Sequence, residues 1–150
     1  MIYWFTGQPG AGKTSLANKL YEYYEKNRLH FLLMTVDGDD LRTVFNNVNY
    51  TIKGRKKNIK KAQEITKFLH SKKYNVFVSI VSPFKEQRDK FKYEMRNNII
   101  EIYVHTTEQR GRENYHVENY EPPTENFVDI DTTNKTVDQS FNELLKKLKI

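Results

Sequence analysis

A glycine-rich loop near the N-terminus constrains the fold more than any other feature of this sequence. It follows a short apolar run, Ile2–Phe5, and precedes a segment with helical spacing, Ser15–Lys26. Its glycines allow successive backbone N–H groups to point inward around a phosphate, and Lys13 and Thr14 stand at the spacing of a phosphate-binding loop. We therefore expect Lys13 to reach the β- and γ-phosphates of ATP and the Thr14 hydroxyl to ligate Mg²⁺. The predicted nucleotide-binding residues are Gly7, Gln8, Pro9, Gly10, Ala11, Gly12, Lys13, Thr14 and Ser15.

Strand-like and helix-like segments alternate along the chain. Short apolar runs rich in β-branched and aromatic residues predict strands at Ile2–Phe5, Phe31–Val36, Val76–Val81, Ile99–Val104 and Phe127–Ile130. Helical spacing predicts helices at Ser15–Lys26, Asn58–His70, Lys85–Arg96 and Val137–Leu148. Such alternation requires crossover connections between parallel strands. The pattern predicts an α/β fold of the P-loop NTPase type, with three α/β/α layers, a five-stranded mainly parallel sheet and one domain over residues 1–150.

Composition and charge exclude several function classes. The chain has no cysteine, which excludes disulfides, cysteine-ligated metals and thiol catalysis and fits a cytoplasmic location. No apolar run is long enough for a membrane span. The net charge of +6 comes largely from short basic runs around Lys53–Lys61 and at Lys146–Lys149. Nucleic-acid binding is the less favoured explanation, because lysines at a helix end complement its dipole and a small polyanionic substrate would suit the basic middle segment.

An acidic turn follows the second predicted strand, at Asp37-Gly38-Asp39-Asp40-Leu41-Arg42. The carboxyl ends of parallel strands meet at one edge of the sheet, so this turn should lie near the phosphate loop. A carboxylate there can orient a magnesium ion or accept the proton of an acceptor hydroxyl, and Arg42 can hold an anionic acceptor. The alternative is a solvated turn that caps a helix. We expect Lys13, Asp37 and Asp39 to be catalytic and Thr14 and Asp37 to hold the metal.

The ordered motifs resemble those of adenylylsulfate kinases, which use ATP to phosphorylate the 3′-hydroxyl of adenylyl sulfate and so make the activated sulfate donor of sulfate assimilation. The likeness runs through the phosphate loop and the acidic turn into Tyr50-Thr51, Arg55 and Asn58-Ile59. It continues at Val81-Ser82-Pro83-Phe84 with Arg88-Asp89, at Tyr120-Glu121-Pro122-Pro123 and at Ile130-Asp131-Thr132.

The resemblance implies roles for individual residues. Asp39 would be the base, and Arg42, Arg55 and Asn58 would hold the phosphosulfate of the acceptor. Tyr50 would stack on the adenine of the acceptor, and Ser82 would stand beside the phosphates. The substrate-binding residues implied are Asp39, Arg42, Tyr50, Arg55, Asn58, Ile80, Val81, Ser82, Pro83 and Phe84. Tyr50 could instead belong to the core, Arg55 could be one more solvated charge, and Ser82-Pro83 could be only a strand-ending turn.

The chain departs from the family in a shortened segment, residues 106–119, where the family carries a long basic lid. Arg110 and Arg112 are candidates for a lid arginine over ATP, of which Arg110 is the predicted one, and Tyr115 is a candidate for a second aromatic wall. Because a lid completes the site, its shortening should affect acceptor choice first. Kinases of a nucleoside, a sugar or a polynucleotide end, and a nucleotide-binding module without catalysis, therefore stay open as alternatives, as does a homodimer.

Overall fold

The computed structural model describes residues 1–150 and contains one five-stranded sheet. The strands are β1 (Ile2–Thr6), β2 (Leu33–Asp37), β3 (Asn75–Ser79), β4 (Ile99–His105) and β5 (Phe127–Asp131). Their order across the sheet is β2-β3-β1-β4-β5, and every neighbouring pair is parallel. The predicted α/β class with a mainly parallel five-stranded sheet is confirmed, and the sheet is parallel throughout.

Helices connect the strands and cover both faces of the sheet. They are α1 (Lys13–Lys26), α2 (Gly38–Val44), α3 (Ile52–Ser71), α4 (Lys85–Met95) and α5 (Val137–Leu148), with short 3₁₀ turns at Arg96–Asn98 and Glu113–Tyr115. A capping box opens α5, where the Thr136 hydroxyl accepts from the Gln139 N–H and the Gln139 side chain accepts from the Thr136 N–H. No helix combines the length and apolar character that crossing a membrane requires.

The central strand β1 divides the apolar core into two clusters because successive side chains point to opposite faces. Tyr3 and Phe5 pack with α1 and α5, whereas Ile2 and Trp4 pack with α3 and α4. All five residues of β1 are buried. The phosphate loop that follows β1 is therefore anchored in the middle of the sheet, between the layers.

Several predicted boundaries move by a few residues, and three differences from the prediction concern the carboxyl edge of the sheet and the helices beside it. The helix α3 begins at Ile52 rather than Asn58, because the Thr51 hydroxyl accepts from the Gly54 N–H and caps it. The acidic turn continues into a helix, α2, which the sequence analysis treated only as a capped turn. The strand β3 ends at Ser79 rather than at residue 81, so Ile80 and Val81 leave the sheet at its carboxyl edge.

A buried ion pair joins the second half of the chain to this edge. Arg88 and Glu101 lie 2.7 Å apart with side chains only 1% exposed. The Arg88 guanidinium also donates to the carbonyls of Ser82 and Glu121, and Lys92 lies 2.5 Å from the second Glu101 oxygen. Arg88 thus ties α4 and β4 to the loops after β3 and before β5.

Replacing Arg88 with methionine should lower the free energy of unfolding by about 3 kcal/mol, because Glu101 would lose a buried partner and the Glu121 carbonyl would lose its donor. Urea denaturation of the two proteins measures the difference. The matched control is Lys85→Met, which removes the exposed Lys85–Asp89 pair and should cost under about 1 kcal/mol. An Arg88→Met loss as small as the control would mean that Lys92 alone neutralises Glu101.

Candidate active site

Close backbone approach shapes the phosphate loop. Gly7 has φ of 149°, and a Cβ atom there would fall 2.0 Å from the carbonyl oxygen of Val104 on β4. Gly10 and Gly12 also have positive φ, at 83° and 102°. A side chain at Gly7 would collide with the neighbouring strand, so the loop can lie against the sheet only with glycine there. The loop opens into α1, whose first residue is Lys13.

Lys13 is held inside the loop. Its side chain is largely buried, and Nζ donates to the Gln8 carbonyl over 2.8 Å. The pKa of Lys13 is lowered to about 8, mainly by burial; the carboxylates of Asp37 and Asp39 partly oppose the shift, and the Arg112 guanidinium adds a smaller lowering. A bound polyphosphate would place a negatively charged partner beside the ammonium group of Lys13.

Asp37 stands at the end of β2 and collects hydrogen bonds from three elements. Its Oδ2 accepts from the Thr14 hydroxyl at 2.9 Å and from the Ser79 hydroxyl at 2.7 Å, while Oδ1 accepts from the Asp39 N–H at 2.8 Å. The last bond caps α2. Thr14 and Asp37, the two predicted metal ligands, are thus in direct contact, and their hydroxyl and carboxylate oxygens are the type that Mg²⁺ prefers. Ser79 was missed by the sequence analysis, because it was read as an interior strand residue.

Two adjoining cavities open at this edge of the sheet. The first, about 320 Å³, is lined by the phosphate loop and the ends of β2 and β3. The second, about 710 Å³, lies between α2, α3 and the 106–119 segment. Asp39 and Arg112 line both cavities, as do Pro9, Gly38, Ile80 and Val81. We call the second space the acceptor cavity, because it meets the phosphate-loop cavity at Asp39.

Seven of the ten predicted substrate-binding residues line the acceptor cavity: Asp39, Ile80 and Val81, which also line the phosphate-loop cavity, and Arg42, Tyr50, Arg55 and Asn58. The Arg42 guanidinium lies 4.1 Å and the Arg55 guanidinium 5.4 Å from the centre of the Tyr50 ring. Burial and the neighbouring Arg42 lower the pKa of Arg55. Asn58 is buried, its Nδ2 donates to the Gly38 carbonyl, and its Oδ1 has no partner. Tyr50 is exposed, so it is not a core residue, and Tyr115 lines the cavity as well.

Three other predicted substrate-binding residues lie outside both cavities. Ser82 is fully buried, its carbonyl accepts from Thr6 and Arg88, and its hydroxyl has no partner. The Pro83 carbonyl accepts a hydrogen bond from the Glu121 N–H, and Phe84 is the N-cap residue of α4, with Lys56 over its ring. The Ser-Pro-aromatic loop is therefore packed against the Tyr120–Pro123 segment, whereas Ile80 and Val81 line both cavities.

The 106–119 segment closes over the phosphate loop. Gln8 and Val117 exchange two hydrogen bonds of 2.8 Å, and the His116 ring contacts the Pro9 carbonyl at 3.2 Å. Arg112 packs on Gly10, where an added Cβ would lie 3.1 Å from the Arg112 Cβ. Loops carry no periodicity by which a sequence separates the two arginines, and the sequence analysis predicted Arg110 rather than Arg112 as the lid arginine.

Arg110 faces a third cavity on the other side of the loop, of about 320 Å³. Its guanidinium donates to the Thr132 carbonyl and hydroxyl and to the Gly10 carbonyl. The Thr132 hydroxyl in turn donates to the carbonyl of Ala11 in the phosphate loop. Gly12 and Ser15 line this cavity and the phosphate-loop cavity alike, so the two spaces are neighbours. Thr132 belongs to the Ile130-Asp131-Thr132 motif but was not predicted to be a site residue.

Comparisons with known proteins find related sequences and related folds. A sequence profile of the family described as adenylylsulphate kinase matches residues 1–130. The adenylyl-sulfate kinase of Buchnera aphidicola subsp. Schizaphis graminum is 33% identical over 108 residues, which cover 71% of this chain. The chain spans about half the length of that relative, 50%.

A relative of different activity covers more of the chain. The cytidine diphosphoramidate kinase of Campylobacter jejuni is 31% identical over 135 residues, 87% of this chain and 77% of its own length. Among solved structures, the Mycobacterium tuberculosis APS kinase in complex with AMPPNP and APS superposes with a TM-score of 0.81 at 20% identity, covering 99% of this chain and 97% of that one. At that identity the likeness is one of fold.

Binding of ATP should take up protons at pH 8–9, because a phosphate beside Lys13 would raise its pKa from about 8. We expect the affinity for ATP to fall by up to tenfold per pH unit as the pH rises above 8. Calorimetry at pH 8.5 in buffers of different ionisation enthalpy measures the proton uptake.

The matched control is Lys13→Arg, whose guanidinium stays protonated and should show no uptake from this position at pH 8.5. Equal uptake in the two proteins would assign the proton to another group.

Proposed function

The chain belongs to the adenylylsulphate kinase family, and from that premise we propose that it transfers the γ-phosphate of ATP to the 3′-hydroxyl of adenylyl sulfate. The observation that carries this proposal is the acceptor cavity, which meets the phosphate-loop cavity at Asp39 and contains Arg42, Tyr50, Arg55 and Asn58. Such an arrangement suits a kinase, because phosphoryl transfer depends on holding donor and acceptor side by side, and a carboxylate at their junction can accept the proton of the acceptor hydroxyl.

The donor would bind with its phosphates on the loop after β1. The backbone N–H groups there and the N-terminus of α1 hold phosphate oxygens, and Lys13 neutralises the charge of the transferring group. Its nucleoside would occupy the third cavity, which shares Gly12 and Ser15 with the phosphate-loop cavity. Arg110, fixed by Thr132, lines that cavity.

The residues present fit a magnesium ion. Thr14 and Asp37 present oxygen atoms at the phosphate loop and already contact each other at 2.9 Å. When bound with ATP, Mg²⁺ would neutralise charge on the β- and γ-phosphates. Asp37 would keep its second oxygen on the Asp39 N–H, so the same carboxylate would hold the metal and fix the start of α2.

Asp39 would accept the proton of the attacking hydroxyl. It lines both cavities, and its backbone N–H is fixed by Asp37 at the first turn of α2. A carboxylate in reach of the hydroxyl removes its proton as the new bond to phosphorus forms. Arg112, which also lines both cavities, adds positive charge where negative charge accumulates in the transferring group.

The acceptor would be recognised by charge and by stacking. Arg42 and Arg55 offer fork-shaped donors to two adjacent anionic groups, which a phosphosulfate provides. Tyr50 and Tyr115 offer aromatic surface to a nucleobase. Asn58 adds a buried amide oxygen that lacks a partner and could accept a hydrogen bond from the acceptor.

A second acceptor class is supported by a specific comparison. The Campylobacter jejuni relative that covers 87% of this chain is a cytidine diphosphoramidate kinase. Its named substrate, like adenylyl sulfate, is a nucleoside whose 5′-phosphate carries a second acidic group. The two arginines and the two tyrosines of the acceptor cavity would suit either compound. Selectivity between the two compounds would therefore depend on contacts to the nucleobase and to the terminal group. The second candidate is therefore a kinase of cytidine diphosphoramidate.

Supplied with ATP and Mg²⁺, the protein should release ADP faster with adenylyl sulfate than with cytidine diphosphoramidate or a 5′-hydroxyl oligonucleotide. A coupled ADP-release assay measures the rates, with ATP alone as background. Preference for the cytidine compound would replace the proposed acceptor while keeping the phosphotransfer. Binding of ATP with no transfer to any acceptor would contradict the proposal as a whole.

The Asp39→Asn variant should lose about 10²–10⁴-fold in kcat, because the amide cannot accept the proton, while ATP still binds. The control is Asp40→Asn, an equal charge change at an exposed neighbour that lines neither of the two joined cavities. Steady-state kinetics at saturating ATP compares them. If both variants kept similar activity, Asp39 would not be the base.

A further inference from the structure

A smaller cavity of about 270 Å³ lies between the turn that joins α2 to α3 and the first half of α3. It has no acidic residue in its lining, which consists of Phe45, Asn46, Asn47, Asn49, Lys53, Gly54, Lys57 and Lys61. We call it the lysine cavity. Asn46 and Asn47 line the acceptor cavity as well, so the two spaces are neighbours.

Its three lysines form one face of α3. Lys53, Lys57 and Lys61 follow one another at intervals of four residues, which places them on the same side of a helix. None of them pairs with a carboxylate, whereas seven other lysines of the chain lie within 3.7 Å of one. Like charges at this spacing repel one another. An anion bound between them would relieve that repulsion.

The turn that joins α2 to α3, residues 45–51, packs against the helix that carries the three lysines, and its position relative to that helix is fixed by close contacts. A Cβ atom at Gly54 would fall 2.2 Å from the Asn49 carbonyl oxygen, so only glycine allows this approach. The Arg42 guanidinium donates to the Asn47 and Asn49 carbonyls over 3.0 Å each. Lys61 is fixed as well, with Nζ 3.9 Å from the centre of the Phe45 ring.

The side-chain amide of Asn49 presents a donor rather than an acceptor, whereas the Asn47 NH₂ group already donates to the Gly54 carbonyl. The Oδ1 atom of Asn49 already accepts from the Thr51 N–H and hydroxyl, and the Oδ1 atom of Asn47 accepts from the Asn49 N–H. The Asn49 NH₂ group makes no hydrogen bond within the chain, so it is available to a ligand. Ammonium groups and an amide donor around a small space select an oxyanion.

We propose that the lysine cavity is an anion site that binds a phosphate or sulfate group, next to but separate from the acceptor cavity. Two sources supply this chemistry: an additional phosphate on the molecule in the acceptor cavity, or a free phosphate or sulfate ion. The proposed anion site does not depend on which nucleoside binds in the neighbouring acceptor cavity. Its test is therefore separate from that of the proposed reaction.

The test uses the whole chain with its phosphate loop occupied by AMPPNP and Mg²⁺, so that added anions cannot bind there. Inorganic phosphate is titrated while the lysine side-chain ¹⁵N resonances are followed by NMR. We expect saturable shifts at Lys53, Lys57 and Lys61, and binding at least tenfold weaker in the triple variant K53Q/K57Q/K61Q. The control is K26Q/K90Q/K146Q, an equal charge change at exposed lysines without carboxylate partners, which should bind like the unmodified protein.

A second titration distinguishes the sources, with adenosine 5′-monophosphate, adenosine 5′-diphosphate and adenosine 3′,5′-bisphosphate as probes. A tenfold loss in the lysine variant for a doubly phosphorylated probe but not for the monophosphate assigns the site to the acceptor-bound molecule. Equal affinities for all three nucleotides, with phosphate still bound alone, assign it to a free ion.

Two results would overturn the proposal. One is equal binding of every probe by the two triple variants, or no probe-dependent shift at the three lysines. The other is a loss in the lysine variant confined to a thymidine octanucleotide with all small anions unaffected, which would make this face a nucleic-acid surface. Salt titration adds a further check, since binding at a real anion site should weaken as ionic strength rises.

Discussion

The carboxylate of Asp37 is the contact on which the geometry of the candidate site depends. It accepts from the helix after the phosphate loop, from the end of β3 and from the first turn of α2. Three separately folded segments therefore meet at one side chain. Because Asp39 follows two residues later, the same contact sets where the candidate base stands relative to the phosphate loop. The acceptor cavity takes its shape from α2 in turn, so donor and acceptor spaces share one reference point.

Much of the fold follows from local chemistry in the sequence. The glycine-rich loop lies between β1 and α1 as the spacing predicts, and each predicted strand exists within a few residues. The grouping of Arg42, Arg55 and Asn58 around one cavity was implied by the family resemblance, and the structure explains it, because α2 and the start of α3 follow β2 at the same sheet edge. The early start of α3 was not predicted, since Thr51 acts as a cap only when the Gly54 N–H is brought to it.

The loop at Ser82, Pro83 and Phe84 lies outside both cavities, although its motif implied contacts to the substrate. Its residues follow β3 at the carboxyl edge, where ligands bind. However, the Ser82 carbonyl accepts a hydrogen bond from the buried Arg88 guanidinium, and the loop packs inside the protein. That contact depends on Glu101, which stands on a different strand and gave no signal of its own in the sequence. Likewise, nothing in the 106–119 segment marks Arg112 rather than Arg110 as the residue over Gly10. Long-range packing of irregular segments decides both outcomes.

The order of the strands in the sheet determines when the N-terminal motif can fold during synthesis. The first strand pairs with β3, which begins at Asn75, and with β4, which begins at Ile99, while the phosphate loop lies against the Val104 carbonyl. The N-terminal motif thus reaches its final shape only after about two-thirds of the chain has left the ribosome. Until then neither edge of β1 has a strand partner, and the apolar side chains that the sheet later buries stay exposed in the nascent chain.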